Sequence, residues 1–169
     1  MMQRLLEHDA RLSSSLRVAE RWRLVRLPAV ILAHSGDSWF WLLGLSLVWL
    51  LGGPEWKFRT AVMAAGVVIT AVLVLLIKFS VRRRRPEGAW GRIYRDTDPH
   101  SFPSGHAARA VMLAVVAQIL GPGWFSSVMI IWAPLVGLAR ITMGVHYLSD
   151  VIAGMALGGV LGLAVMQLF

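Results

Sequence analysis

Cysteine is absent from this 169-residue chain. That excludes a disulfide framework and any thiolate metal site, and the compartment is not readable from redox chemistry. Acidic residues are scarce, with Asp and Glu numbering 9 against 17 Lys and Arg, a formal charge of +8. On a soluble protein such an excess would point to nucleic acid. Here the basic residues border apolar segments, so anionic lipid headgroups and membrane anchoring account for them, and no nucleic-acid partner is expected. Met1 to Arg26 contain no continuous apolar stretch, so no cleavable signal peptide is expected. Internal repeats and low-complexity segments are also lacking.

Apolar residues are what the chain has in abundance. The hydrophobic fraction is 57% and the mean hydropathy +0.64, beyond an ordinary soluble domain. Five segments are apolar enough to be read as membrane-spanning helices: about Ser38 to Leu51 (with Ile31 as an earlier possible start), Thr60 to Phe79, Ser104 to Gly121, Trp124 to Ala139 and Tyr147 to Phe169. Gly52-Gly53-Pro54, Arg82 to Pro86 and Gly121-Pro122-Gly123 punctuate them. Ahead of them, Leu5, Leu12, Leu16 and Ala19 fall near one helical face, with Arg4, Arg11, Arg17 and Arg21 elsewhere. That pattern fits a helix lying in the membrane interface, a helix packed on the rest of the protein, or both. The expected fold is therefore all-α: an amphipathic interfacial segment over residues 1–26 and a transmembrane helical bundle over residues 27–169.

Spans of this order place three polar stretches on one face, because the second and fourth spans end where the third and fifth begin. The first stretch holds Lys78 and Arg85-Pro86. Seven residues apart, the two cations share a face if the helix continues, and together they can neutralise a phosphate; stop-transfer basic residues are the plainer reading, retained for Arg82, Arg83 and Arg84. The second is Pro103-Ser104-Gly105-His106 at a helix start. Ser104 suits an N-cap, Gly105 permits close backbone approach, and the exposed N–H groups form an anion site beside which His106 can protonate a leaving oxygen. The third is Arg140, His146 and Asp150. On a helix beginning near His146, Asp150 lies on the same face and can hold one ring nitrogen protonated while the other attacks. Gly144 separates Arg140 from His146, so they come from two helix ends. An ionisable pair inside an apolar span is costly, which favours a functional reading.

These stretches resemble the three signature motifs of the type 2 phosphatidic acid phosphatase (PAP2) superfamily, K-x6-R-P, P-S-G-H and S-R-x5-H-x3-D, in order and spacing. The resemblance covers roughly Leu27 to the C-terminus. Ala139 stands where the family pattern has serine, and the first of six common spans is replaced by the amphipathic segment. The resemblance implies that His146 attacks phosphorus to form a phosphohistidine and that Asp150 orients it. It further implies that His106 protonates the leaving oxygen and then activates water. Lys78, Arg85, Ser104, Gly105 and Arg140 would hold the phosphate oxygens, with no metal or other cofactor.

The expected activity is hydrolysis of a lipid phosphate or diphosphate of the phosphatidate, phosphatidylglycerol phosphate or polyprenyl class. The lipid tail would enter sideways between helices. Other readings are a non-catalytic lipid-phosphate binding or transport protein and a vanadate-dependent haloperoxidase, which vanadate would activate rather than inhibit. The arginine-rich N-terminal segment and Arg82 to Arg85 put the site on the cytoplasmic face of the cell membrane by charge bias; an extracytoplasmic site is the alternative. Asp96-Thr97-Asp98 is a weak metal candidate and is more often a solvated loop. His100, close to the second stretch, is read as a loop histidine or a headgroup-recognition residue, Tyr94 and Trp90 as interfacial residues that could rim a lipid entrance, and His34 and Asp37 as a helix boundary.

Overall fold

The computed structural model describes residues 2–88, 90 and 98–169, and the side chains of Met2, Gln3 and Leu5 lie outside that description. Eight helices make up the described residues: α1 Met2–Ser15, α2 Val18–Arg21, α3 Arg23–His34, α4 Ser38–Leu51, α5 Pro54–Val81, α6 Gly105–Leu120, α7 Gly123–Thr142 and α8 Leu148–Leu168. Pro54 opens α5 at a position where its missing N–H costs nothing. Among the described residues the only extended pairing is an isolated bridge between Arg84 and His100. The all-α expectation holds.

Three helices, α5, α7 and α8, with 28, 20 and 21 residues, are long and apolar enough to cross a membrane. The apolar helices α4 and α6 are shorter, at 14 and 16 residues; at about 1.5 Å per residue they reach roughly 21 and 24 Å. Both the inside and the outside of the bundle are apolar. Val62, Val67, Met112, Leu113, Val136 and Val165 form the core, while Leu43, Leu47, Leu76, Ile131 and Leu163 are exposed on outer faces. A helix that is apolar all round belongs in a core or a bilayer.

The tightest packing joins α6 to α8, and small residues explain it. A Cβ on Gly154 would lie 2.5 Å from the Ser104 carbonyl oxygen, and one on Gly158 2.1 Å from that of Ala108. Such a stripe lets two backbones approach without side chains between them. It also fixes the start of α8 against the start of α6, so the second and third polar stretches meet. Gly144, at φ +67°, turns the chain between α7 and α8 in the left-handed region open to glycine.

Helix α1 docks by its polar side. The Leu148 N–H donates to Ser13 Oγ at 2.8 Å, and the Ser149 N–H donates to Asp9 Oδ1 at 3.1 Å. First-turn N–H groups have no partner within their own helix, so α1 caps α8 with its side chains. Leu6, Leu12 and Leu16 face outward. Of the apolar face expected from the sequence, Leu12 and Leu16 are uncovered, Ala19 is instead buried on α2, and the side chain of Leu5 lies outside the described residues; the polar face of α1 makes the contact.

Candidate active site

His146 lies in the link between α7 and α8, two residues before α8 begins. The helix starts near His146 as expected, but His146 itself stays outside it: Tyr147 is the N-cap, and Asp150 is the third residue of the helix. The two side chains are nonetheless brought together, short of a hydrogen bond, because Asp150 turns back to the helix start. Its Oδ2 accepts from the Tyr147 N–H at 2.9 Å and stands 3.5 Å from His146 Nδ1. Both side chains are buried.

The protonation state of His146 follows from its other nitrogen. Arg85 Nη1 stands 3.2 Å from His146 Nε2. Arginine has no acceptor and stays protonated, so Nε2 presents its lone pair, and the proton of the neutral ring is on Nδ1, facing Asp150. Burial, then the charges of Arg85, Arg140 and Lys78, hold the ring's pKa well below the ordinary 6.5. A neutral imidazole with an unprotonated Nε2 is the form that attacks an electrophile, once Arg85 turns its N–H to the incoming phosphate.

Lys78 and Arg85 meet by a different route from the one expected. Helix α5 stops at Val81, and Arg82 adopts the left-handed conformation at φ 52°. The two cations therefore do not share a helix face. Lys78 ends the helix, Arg85 returns on the irregular chain beyond it, and both reach the carboxylate of Asp98. Lys78 Nζ and Arg85 Nη2 donate to the same Oδ2, the latter at 2.6 Å. Arg85 also donates to the carbonyls of Asp98 at 2.6 Å and Val145 at 2.9 Å. Of the acidic pair considered for a metal, Asp98 is committed to these cations, and Asp96, like Thr97 and Tyr94, lies outside the described residues.

Ser104 occupies the N-cap of α6 as expected, but its hydroxyl does not cap the helix. The buried Oγ makes no hydrogen bond among the described residues, while the Ser104 N–H donates to the Asp150 carbonyl at 2.9 Å. A buried hydroxyl without a partner is costly unless something arrives to use it. Gly105 packs on α5, where a Cβ would meet Val74 Cγ1 at 3.2 Å. Arg140 is fully buried at the end of α7, and its charge is felt by both His146 and His106.

Four polar residues were not assigned to the site from the sequence. Asp98 is one. Arg83, read as a stop-transfer residue, donates to Asp150 Oδ1, Ser149 Oγ and Asp9 Oδ2, each at 2.7 Å, with its guanidinium 4.0 Å from the Tyr147 ring centroid. It ties α1 to Asp150. Asp37, read as a helix boundary, accepts from His106 Nε2 at 2.6 Å. Burial pushes the Asp37 carboxyl up, but hydrogen bonds from His106 and His34 outweigh it and hold it below the usual range. Arg109, one turn beyond His106, donates to the Gly36 carbonyl. A run of four arginines reads as charge bias, and only the fold shows that Arg83 turns inward together with Arg85.

The remaining candidates lie at the margin. His100 meets Phe79 edge-on at 5.7 Å, and Arg26 stacks over Trp90 at 5.3 Å. Ala139 sits in an apolar cluster with Ala19, Ala29, Ala33, Met143 and Val145. The α2–α3 segment therefore covers the position at which the family pattern carries a hydroxyl.

Comparisons with known proteins fit this arrangement. The decaprenylphosphoryl-5-phosphoribose phosphatase of Mycobacterium tuberculosis is 31% identical over 164 residues, covering 94% of this chain and 91% of the relative. The undecaprenyl-diphosphatase of Sulfolobus acidocaldarius is 31% identical over 137 residues, covering 76% of this chain and 63% of that protein. In three dimensions the chain is similar to a transmembrane PAP2-type phosphatidylglycerolphosphate phosphatase from Bacillus subtilis. The TM-score is 0.77 at 22% identity, covering 97% of this chain and 85% of the other. The family model of the PAP2 superfamily matches residues 56–169, which include all three polar stretches, and the chain belongs to that superfamily.

Proposed function

We infer that the protein is a membrane phosphatase that hydrolyses the phosphate monoester or diphosphate of a lipid through a phosphohistidine at His146. The observation that carries this reading is the placement of the buried His146 ring between Arg85 Nη1, 3.2 Å from Nε2, and Asp150 Oδ2, 3.5 Å from Nδ1, which favours the neutral tautomer protonated on Nδ1. A binding or transport protein needs the cations but has no use for an oriented, neutral imidazole.

In the first step Nε2 attacks phosphorus and the bond to the leaving oxygen breaks, with that oxygen taking a proton from His106. In the second, His106 accepts a proton from water, the hydroxide attacks phosphorus, and the P–N bond breaks to release phosphate and neutral His146. Lys78, Arg85, Arg140 and the Ser104 hydroxyl with the N-terminus of α6 hold the charge that grows on the phosphoryl oxygens. Asp98 gives up the cations to the phosphate when substrate enters.

Among lipid phosphates, a prenyl-linked sugar phosphate monoester has the best support, since the Mycobacterium tuberculosis relative that bears such a name matches nearly end to end. Residues 27–169 form the phosphatase domain, and the N-terminal helix rests in the interface on Leu6, Leu12 and Leu16. The site faces the cytoplasm of the cell membrane, supported by the arginine bias of the site side. Phe169 then lies on the opposite face; reporter fusions that place it in the cytoplasm would reverse this orientation.

The activity is tested by phosphate release from a panel of lipid phosphates and diphosphates in EDTA, comparing the wild type with His146→Ala. Turnover by the wild type alone supports the reading. No turnover from any lipid by folded protein favours a binding or transport role, and full activity in His146→Ala contradicts the mechanism.

A further inference from the structure

We propose that Asp37 is a positioning residue for His106, so that the site holds a second His–carboxylate pair beside His146–Asp150. The inference rests on the reading of His106 as the proton donor and acceptor of a phosphatase.

Asp37 precedes α4, where an aspartate ordinarily caps the exposed N–H groups of its own helix. Here the carboxylate makes no such bond. It is turned toward α6 instead, with Oδ1 2.6 Å from His106 Nε2 and Oδ2 3.1 Å from His34 Nδ1. The turn that carries it is held from several sides. Trp41 Nε1 donates to the Ser35 carbonyl at 2.9 Å, Trp132 Nε1 to Ser35 Oγ at 2.8 Å, and Arg109 to the Gly36 carbonyl. Gly36 lies so close to the His106 ring that a Cβ there would stand 3.2 Å from its Cδ2 and 3.0 Å from Val136 Cγ1. Helices α4, α6 and α7 thus fix the turn, and the turn fixes the ring.

The chemical consequence is a choice of nitrogen. With Nε2–H directed at Asp37, Nδ1 is the atom left to exchange protons. The carboxylate stabilises the imidazolium that must exist before the leaving oxygen is protonated. It then keeps the neutral ring in the tautomer whose Nδ1 accepts a proton from water. This is the orienting role that a carboxylate plays behind a catalytic histidine elsewhere. His106 transfers the proton, and Asp37 acts through it.

Leaving-group dependence tests this. p-Nitrophenyl phosphate releases a phenolate that needs little protonation, whereas phosphatidate releases an alkoxide that needs it fully. For Asp37→Asn, kcat/KM on phosphatidate is expected to fall by about 100-fold, within the usual worth of acid–base catalysis, and to change little on the aryl ester. The ratio of the two within one preparation does not depend on how much protein is folded. His106→Ala should show the same selective loss, and adding Asp37→Asn to it should cost little more. Asp37→Glu should recover part of the ratio. Equal losses on both substrates, no loss on either, or additive losses in the double variant overturn the proposal while leaving the phosphatase reading intact. A wild type that hydrolyses neither ester overturns both.

Discussion

Replacing Asp98 by asparagine alters the charge balance of the site without changing its shape. In the ligand-free protein one carboxylate oxygen neutralises Lys78 and Arg85 together. An incoming phosphate must displace it, so the intrinsic strength of those contacts is subtracted from the affinity for substrate. Hydrogen bonds between charged groups contribute about 1.5–3 kcal/mol each, and a neutral acceptor roughly halves that. Asp98 is partly open to solvent, which places the net effect at the low end, about 1.5 kcal/mol. Asp98→Asn should therefore bind inorganic phosphate or orthovanadate roughly tenfold more tightly. The assay is competitive inhibition of p-nitrophenyl phosphate hydrolysis. Meanwhile two buried cations lose their counter-charge, so thermal stability in detergent should fall without phosphate and recover when phosphate is added. Unchanged or weaker inhibition in Asp98→Asn would show that the carboxylate positions the cations and does not compete for them.

Other outcomes follow from the same geometry. Arg83→Gln frees Asp150 Oδ1 and the α1 dock together, so kcat should fall about tenfold, as expected for loss of a charged hydrogen bond to the orienting carboxylate; a drop in KM alone would contradict this. Gly158→Ala places a Cβ 2.1 Å from a backbone oxygen, and should destabilise the protein by about 1–3 kcal/mol, the range for overpacking, read from unfolding in detergent; an unchanged midpoint would contradict the close α6–α8 approach. Because His146 is held well below 6.5, it stays neutral as pH falls through 6.5, and burst formation of phosphoenzyme should persist there. Arg85→Ala removes a positive charge, so the acid limb should move up toward 6.5; movement downward would contradict the assigned cause. The sign for stability is the reverse of a salt-bridged histidine: the unfolded chain takes up a proton below 6.5 that the folded site refuses, so this group's contribution to stability declines as pH falls below that value.

Much of this arrangement is legible in the sequence. Hydropathy and the Gly-Pro punctuation located α4 through α8 to within a few residues, except that α5 begins at Pro54 rather than Thr60. Alternation of helix direction was enough to bring Lys78, Ser104 and His146 to one end. What escaped was side-chain direction at helix termini. An aspartate beside a helix start, such as Asp37, or in a loop, such as Asp98, has a sufficient local explanation, and nothing in the sequence says that its carboxylate turns to another helix. Arg83 was hidden by its neighbours, since periodicity carries no information once α5 stops at Val81. The pairing of His146 with Asp150 was anticipated on helical spacing, and the structure reaches it through the cap of α8. Helix α1 docks by its polar face, through Asp9 and Ser13, which apolar periodicity does not reveal.

The most direct test of the central claim is rapid-quench isolation of the phosphoenzyme formed from p-nitrophenyl phosphate. His106→Ala should form it with little impairment and hydrolyse it slowly, so the adduct should accumulate as an acid-labile, base-stable phosphoryl group that peptide mass analysis places on His146. An adduct on another residue, or full turnover by His106→Ala with no adduct at any quench time, would contradict nucleophilic attack by His146.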